Sequence, residues 1–402
     1  MLSELVMIFT FVCAALVLYH HVGYPLILRL LTHNRTANYP GVPLRRYQHH
    51  SNDQDLPAVA LLMPAYNEAG FIADKLRNLA ALDYPKERLQ VVIACDGCRD
   101  NTASVARQVA AEPECQHLNV KVIDFSVNRG KLAVINEVVP ELTAEVVVLS
   151  DVSALVSVDA LLVGAAHFAN PGVGVVSGSY RLLNPGSEGE SRYWEYQRQI
   201  KQCESALGST LGVHGAFYLF RRPLFQPLPD DTINDDFIIP MQIVAQGYRA
   251  VYEPRIQALE LECADEELDQ QRRRRIAAGN VQQLVRLARL LCPRHGGVAF
   301  AFASGKALRA LMPFCLLGLL VGSALLAVQS PFFLTLLLAQ CVVYGLAAYR
   351  QFTLPRSAAK PLATVHYLVT GHLAGLIGAI RYLLGLERGR WQKLTTLMGE
   401  PE

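Results

Sequence analysis

The residues able to do chemistry in this 402-residue chain fall into a few short polar groups. Glu68 closes the run Pro64-Ala65-Tyr66-Asn67-Glu68, Asp96 opens Asp96-Gly97-Cys98-Arg99-Asp100, and Asp151 follows Ser150. Each group stands directly after a short apolar run. A carboxylate placed there is costly unless it binds something. One alone would read as a turn or a helix cap. Three at one edge of a sheet point to a ligand site. A fourth group, Asn234-Asp235-Asp236, opens an apolar stretch running to Ala245. Taken locally, its two acids cap a helix and favour its dipole.

The elements that must position these groups alternate in type. Apolar runs at 59–63, 89–95, 120–125, 145–150 and 173–177 alternate with amphipathic ones at 70–82, 101–111, 131–139 and 158–169. Strands alternating with helices predict an α/β fold: a mainly parallel sheet with helices on both faces. Ligands bind such sheets beyond the carboxyl ends of the strands, where the acids fall.

Composition narrows the class. Lys plus Arg number 37 against 35 acids, a net charge of +2, without the basic surplus of a nucleic-acid binder. Nine cysteines include one close pair, Cys95 and Cys98, with no second pair at zinc spacing, so reduced thiols are expected. Apolar residues reach 51% and concentrate at the two ends of the chain. Residues 5–31 suffice to span a bilayer and are too long, without a basic start, for a cleaved leader. Residues 308–328 and 332–349, joined by Gln329-Ser330-Pro331, predict a membrane hairpin. Arg29, Arg35, Arg45 and Arg46 follow the first span, Lys306 and Arg309 precede the second, and Arg350, Arg356 and Lys360 follow the third. All agree on a multi-pass protein whose middle is cytoplasmic. The apolar stretch 362–386, interrupted by Arg381, reads equally as spanning or as re-entrant or interfacial. The division expected is a first span (1–31), a linker (32–57), the sheet domain (58–263), interfacial helices (264–307), a membrane region (308–386) and a tail (387–402). In the interfacial part, four consecutive arginines, Arg272 to Arg275, precede Leu284, Leu287, Leu290 and Leu291 on one side, as in a basic helix resting on anionic lipid.

Taken together, residues 57–290 resemble the family 2 glycosyltransferases of GT-A fold, the group of cellulose, chitin, hyaluronan and poly-N-acetylglucosamine synthases. The flanking spans match its membrane-bound branch. Residues 64–68 are similar to the family's P-x-Y-N-E, and 94–102 to its D-G-S-x-D-x-T segment. The resemblance implies a nucleotide pocket in which Asp96 holds the uracil and ribose region, with Ala65, Tyr66 and Glu68 around it. Asn128-Arg129-Gly130-Lys131 resembles the N-x-G-K turn, with Lys131 near the donor. Asp151 matches the first acid of the D-x-D metal motif, where magnesium or manganese would bridge the diphosphate. Ser153 replaces the second acid. The loop 212–217 is similar to the family's small-residue loop under the acceptor, placing His214 and Gly215 on the acceptor side. Asp235-Asp236 resembles the E-D motif, with Asp235 on the acceptor side and Asp236 as catalytic base. The Q-x-x-R-W motif of processive members is matched by Gln271 and Arg274, with Arg275 at the Trp position, or by Gln270 and Arg273. Arg274 in the first frame would clamp the diphosphate.

The function so implied is inverting transfer of a sugar from a UDP-sugar to a growing glycan at the membrane, with a nucleotide sugar, a glycan or lipid acceptor and membrane lipids as partners. Two alternatives stand beside it: transfer of a single sugar to a polyprenyl-phosphate lipid, and a donor-binding scaffold subunit with weakened catalysis.

Overall fold

The computed structural model describes residues 2–35, 39–42, 45–183, 188–262, 266–353 and 360–386; the side chains of 188–191, 266–271, 351–353, 360, 361 and 363 lie outside the description. The chain opens with helices α1 (Leu2–Leu18) and α2 (Tyr24–Thr32). It continues through β1 (Val59–Ala65), α3 (Ile72–Ala80), β2 (Leu89–Asp96), α4 (Thr102–Ala110), β3 (Asn119–Phe125), α5 (Lys131–Glu141), β4 (Val146–Ser150), β5 (Ala154–Val156), α6 (Ala160–His167) and β6 (Val173–Leu182). Next come α7 (Glu188–Leu207), β7 (Phe217–Arg221), α8 (Asp235–Ala245), β8 (Arg249–Glu260) and α9 (Glu266–Arg286). The last helices are α10 (Gly297–Ala301), α11 (Leu308–Leu326), α12 (Pro331–Thr353) and α13 (Lys360–Leu383).

These elements form two compact units. A helical unit takes residues 1–37, 185–211 and 269–387, and a sheet unit takes 38–184, 212–268 and 388–402.

The sheet unit carries one eight-stranded sheet in the order β3-β2-β1-β4-β7-β6-β8-β5. Its first half is parallel, as the alternation of strand and helix predicts, with β1 between β2 and β4. The second half is mixed. β7 runs antiparallel to both β4 and β6, and β8 is parallel to β6 but antiparallel to β5. Every residue of β1 and of β4 is buried, which requires helices on both faces. On one face α3 lays Ile72, Leu76 and Leu79 against β1 and β2, all 1% exposed or less. The stretch expected to be a linker is partly ordered: Arg45 is held by Asp53 at 2.9 Å and Asp83 at 3.0 Å.

In the helical unit, among the described residues, three helices are long and apolar enough to cross a membrane: Leu2–Thr32, Gly297–Leu326 and Pro331–Arg350. The second begins at Gly297 because α10 runs into α11 through the π-helical turn Phe302–Ala307. Leu5, Phe9, Leu317, Val321 and Leu338 are exposed large apolar side chains on these helices, as expected of surfaces facing lipid. Of the stretch 362–386, residues 362–383 lie in one continuous helix, α13.

Candidate active site

The first two polar motifs lock to one another. Asn67 takes a left-handed backbone, φ 55°, and its Oδ1 accepts the Arg99 N–H at 2.8 Å. Thr102 Oγ1 accepts the Glu68 N–H at 2.8 Å, and Asp100 Oδ2 accepts that of Ala69 at 3.1 Å. Side-chain oxygens thus satisfy backbone donors left over where β1 and β2 end together. Ala65 is buried at the tip of β1, Glu68 is buried beside it, and Tyr66 is half-buried.

Asp96 ends β2 and is 2% exposed. Its carboxylate turns to the segment joining β3 to α5. It accepts the Arg129 N–H at 3.1 and 3.0 Å and the Gly130 N–H at 2.6 Å. A side chain at Gly97, φ 63°, would overlap the backbone of Val127 and Asn128, so glycine is required for this approach. Asp96 therefore fixes the turn that starts α5, and Lys131 is the first residue of that helix.

Lys131 Nζ reaches Asp151 Oδ1 at 2.7 Å. Burial disfavours its ammonium form, but the charges of Asp151, Asp235 and Asp236 more than reverse this, and its pKa is raised above the ordinary lysine value. The antiparallel pairing of β4 with β7 sets Asp151 beside the 212–216 loop: Ser150 faces Phe217, and the Asp151 N–H donates to the Ala216 carbonyl at 3.1 Å. That loop is in turn tied to α8, since the Val213 N–H donates to the Asp236 carbonyl at 3.1 Å. Gly212, φ 67°, leaves the space that Phe237 fills.

Two carboxylates consequently face one small residue. A Cβ placed on Gly215 would lie 3.5 Å from Asp236 Oδ2 and 3.8 Å from Asp151 Oδ2. Asp235 shares the first turn of α8 with Asp236, and both are half-buried. His214 stacks flat on Tyr180, ring centroids 3.5 Å apart. Asp96, Lys131, Asp151, His214, Gly215, Asp235 and Asp236 thus form a connected set within the sheet unit. Arg274 is exposed on α9 in the helical unit, and the side chain of Gln271 lies outside the described residues.

Two further residues belong to this region without having been read from the sequence. Lys75 on α3 is wholly buried; it donates to Ser150 Oγ at 2.7 Å and to the Ala154 carbonyl, holding both ends of the segment that carries Asp151. The signal was available, because Lys75 occupies the i+3 place of the stripe Ile72, Leu76, Leu79. Tyr218 on β7 is 1% exposed, and its hydroxyl has no hydrogen-bond partner among the described residues. Burial first, then Asp235, Asp236 and Asp151, push its pKa well above the ordinary tyrosine value. Within the apolar strand Phe217–Arg221, nothing local sets Tyr218 apart from a core residue.

For a divalent cation the donors are hard oxygens, the right chemistry for magnesium or manganese. Among the described residues no three His, Cys, Asp or Glu side chains cluster as a metal cage. Asp151 Oδ2, directed toward Gly215, fits an ion that takes its remaining ligands from a substrate diphosphate.

A mixed sheet with acids gathered at the tips of β2 and β4 and the start of α8 is the GT-A glycosyltransferase architecture. Residues 57–279 match the family described as glycosyltransferase like family 2, and the chain belongs to that family. Among curated relatives, the poly-beta-1,6-N-acetyl-D-glucosamine synthase of Staphylococcus epidermidis is 28% identical over 213 residues, 51% of this chain and 50% of that protein. That of Staphylococcus aureus strain MSSA476 is 28% identical over 211 residues, 50% of each chain. The chain spans about half the length of the curated relatives it matches. Among solved structures, the mannosyltransferase PcManGT from Pyrobaculum calidifontis, in complex with GDP-Man and Mn2+, superposes with a TM-score of 0.69 at 23% identity, over 94% of this chain and 99% of that one. That likeness establishes the fold. The sheet unit therefore carries a family 2 glycosyltransferase fold, and among the described residues three helices are long and apolar enough to span a membrane.

Proposed function

We propose that this enzyme transfers a sugar, with inversion, from a UDP-sugar to a growing glycan, and that its sheet unit lies on the cytoplasmic side of the membrane. One observation carries the reading: the carboxylates of Asp151 and Asp236 face the same glycine, with the Lys131 ammonium on the first of them. Donor and acceptor must meet between a group that neutralises a leaving diphosphate and a group that takes a proton. In this reading Asp236 is the base. It removes the proton from the acceptor hydroxyl as that oxygen attacks the anomeric carbon, and the bond to the diphosphate breaks on the opposite face. Lys131 stands ready to meet the charge that develops on the diphosphate. A magnesium or manganese ion held by Asp151 would supply further neutralisation when bound. Asp96 serves by holding the 129–130 turn, and Ala65, Tyr66 and Glu68 line the donor side. His214 on its Tyr180 platform, Gly215 and Asp235 face the acceptor.

The names of the relatives support a polymer of N-acetylglucosamine as product. Arg29 and Arg350, near the ends of the first and third spans, and Lys306 and Arg309, where the long apolar helix of the second begins, support the cytoplasmic placement. Membranes carrying the protein, given a panel of radiolabelled nucleotide sugars, are expected to yield high-mass labelled polymer. Label extracted into organic solvent would instead show a lipid product. Asp236→Asn is expected to abolish transfer while UDP affinity stays within a few-fold, and an active variant would overturn the assignment of the base.

A further inference from the structure

We propose that the helical unit holds a binding site for the phosphate group of a lipid, centred on Arg309 and lined by His20, His21 and His372. The inference does not rest on the sugar-transfer reading. Two π-helical turns supply its frame: Tyr19–Gly23, between α1 and α2, and Phe302–Ala307, between α10 and α11. Such turns interrupt the regular ladder and recur at functional sites. Here they meet. His20 Nδ1 lies 3.1 Å from the Ser304 carbonyl, which fixes Nδ1 as the protonated nitrogen, and the Tyr19 and Ser304 hydroxyls are 2.8 Å apart. Gly305 leaves room for Tyr24 to pass and donate to Glu204 Oε1 at 3.0 Å. The other Glu204 oxygen accepts the Leu211 N–H at 3.0 Å.

Glu204, the one carboxylate of this cluster among the described residues, therefore has both oxygens engaged by uncharged donors. The guanidinium of Arg309 acts electrostatically on Tyr24, Tyr193, Tyr196, Glu204 and the three histidines, yet among the described residues it has no hydrogen bond or ion pair. A cation kept at a span without a partnered anion is costly, and such residues mark binding sites and pathways. The position fits a headgroup. The apolar stretch of α11 begins immediately after Arg309, and that of α1 ends just before His20, so both lie at one boundary of the apolar layer. Tyrosines gather there, as they do at headgroup depth.

Phosphate oxygens match a guanidinium fork bidentately, with imidazoles beside it. The surroundings favour a lipid as the source. His21 is exposed, its ring edge-on to His372 at 5.2 Å, and it is flanked by the exposed apolar side chains Leu18 and Val22. A phosphate entering past His21 would leave its chain against apolar surface. A free phosphate gains nothing from that surface.

The test is titration of the full chain, purified in uncharged detergent and without donor, with farnesyl phosphate, farnesol or inorganic phosphate, read by native mass spectrometry. Farnesyl phosphate is expected to bind and farnesol not. Arg309→Gln is expected to weaken binding by at least about tenfold, the loss of a charge-assisted bidentate pair. UDP binding is expected to stay unchanged, as the check that the variant is folded. His21→Asn, at an exposed position that tolerates change, is expected to weaken binding about threefold or more, on the scale of one hydrogen bond. Equal binding by wild type and both variants, or equal binding of farnesol, would overturn the proposal. Displacement by inorganic phosphate at equal concentration would overturn the lipid as its source.

Discussion

Replacing Asp96 by Asn tests whether one buried carboxylate organises the donor side. The swap conserves shape and removes only charge and acceptor capacity. The amide oxygen is best kept where Oδ2 stands, since that atom takes the Gly130 N–H at 2.6 Å and the Arg129 N–H at 3.0 Å. The amide nitrogen then faces the Arg129 N–H across the 3.1 Å now spanned by Oδ1, donor against donor. Hydrogen bonds to a charged group contribute about 1.5–3 kcal/mol and neutral ones about 0.5–1.5, so two weakened bonds and one opposed donor cost about 2–3 kcal/mol. The Arg129 guanidinium, 3.9 Å away and 37% exposed, adds less than about 1 kcal/mol. For a unit of this size each kcal/mol moves the melting temperature by about 2–4 °C, so the variant is expected to melt about 4–12 °C lower. If the same free energy is lost from the placement of Lys131, kcat/KM for transfer falls roughly 30- to 160-fold. The assay is thermal unfolding in detergent without nucleotide, followed by UDP titration. Asp124→Asn is the control, because its pair with Arg107 is 45% and 54% exposed and is worth under about 1 kcal/mol. If Asp96→Asn melts like that control, the anchoring argument fails. Lost UDP binding with unchanged melting would show that the carboxylate serves the nucleotide directly.

Asp151→Ala is expected to weaken metal-dependent donor binding beyond rescue by added manganese, read by calorimetric titration; an unchanged metal requirement would remove Asp151 from the metal site. Tyr218→Phe deletes a buried hydroxyl with no hydrogen-bond partner among the described residues, so the melting temperature should stay level or rise, while any loss of kcat would assign the hydroxyl to the reacting groups. Glu253 is fully buried; burial raises its pKa, but hydrogen bonds from His167 and Arg255 more than offset this and hold it at about 2 against an ordinary 4.5. A depressed carboxylate stabilises the fold above its unfolded pKa and ceases to as pH falls through the folded value. Stability should therefore drop by up to about 3 kcal/mol between pH 4.5 and 2, and Glu253→Gln should flatten that slope in acid-unfolding curves.

Much of the candidate site was legible in the residues. Acids directly after apolar runs, at Asp96 and Asp151, mark strand tips, because a strand leaves its parallel neighbours at the carboxyl end and a charge is tolerated only there. The β1–α3–β2–α4–β3–α5–β4 succession was equally plain, since short apolar runs alternate with longer amphipathic stretches and parallel neighbours need the crossover helix. Three apolar helices followed from length alone. The sequence also displayed Lys75 in a core stripe, where a sparse charge inside an apolar face is a visible anomaly.

What tertiary structure alone decided is who meets whom across long stretches of chain. The antiparallel insertion of β7 between β4 and β6 brings Asp151 to Gly215, and nothing local distinguishes that pairing from a continued parallel sheet. Asp236 looked like one of two acids capping a helix until the loop at 212–215 tied α8 to β7. The hydrogen bonds that the Asp96 carboxylate accepts from the backbone of Arg129 and Gly130 likewise join segments far apart in the chain. Local pattern records the environment each residue needs, buried or wet, helical or extended. Contacts between distant segments are chosen by the packing of the whole sheet, and no short stretch of residues carries that information.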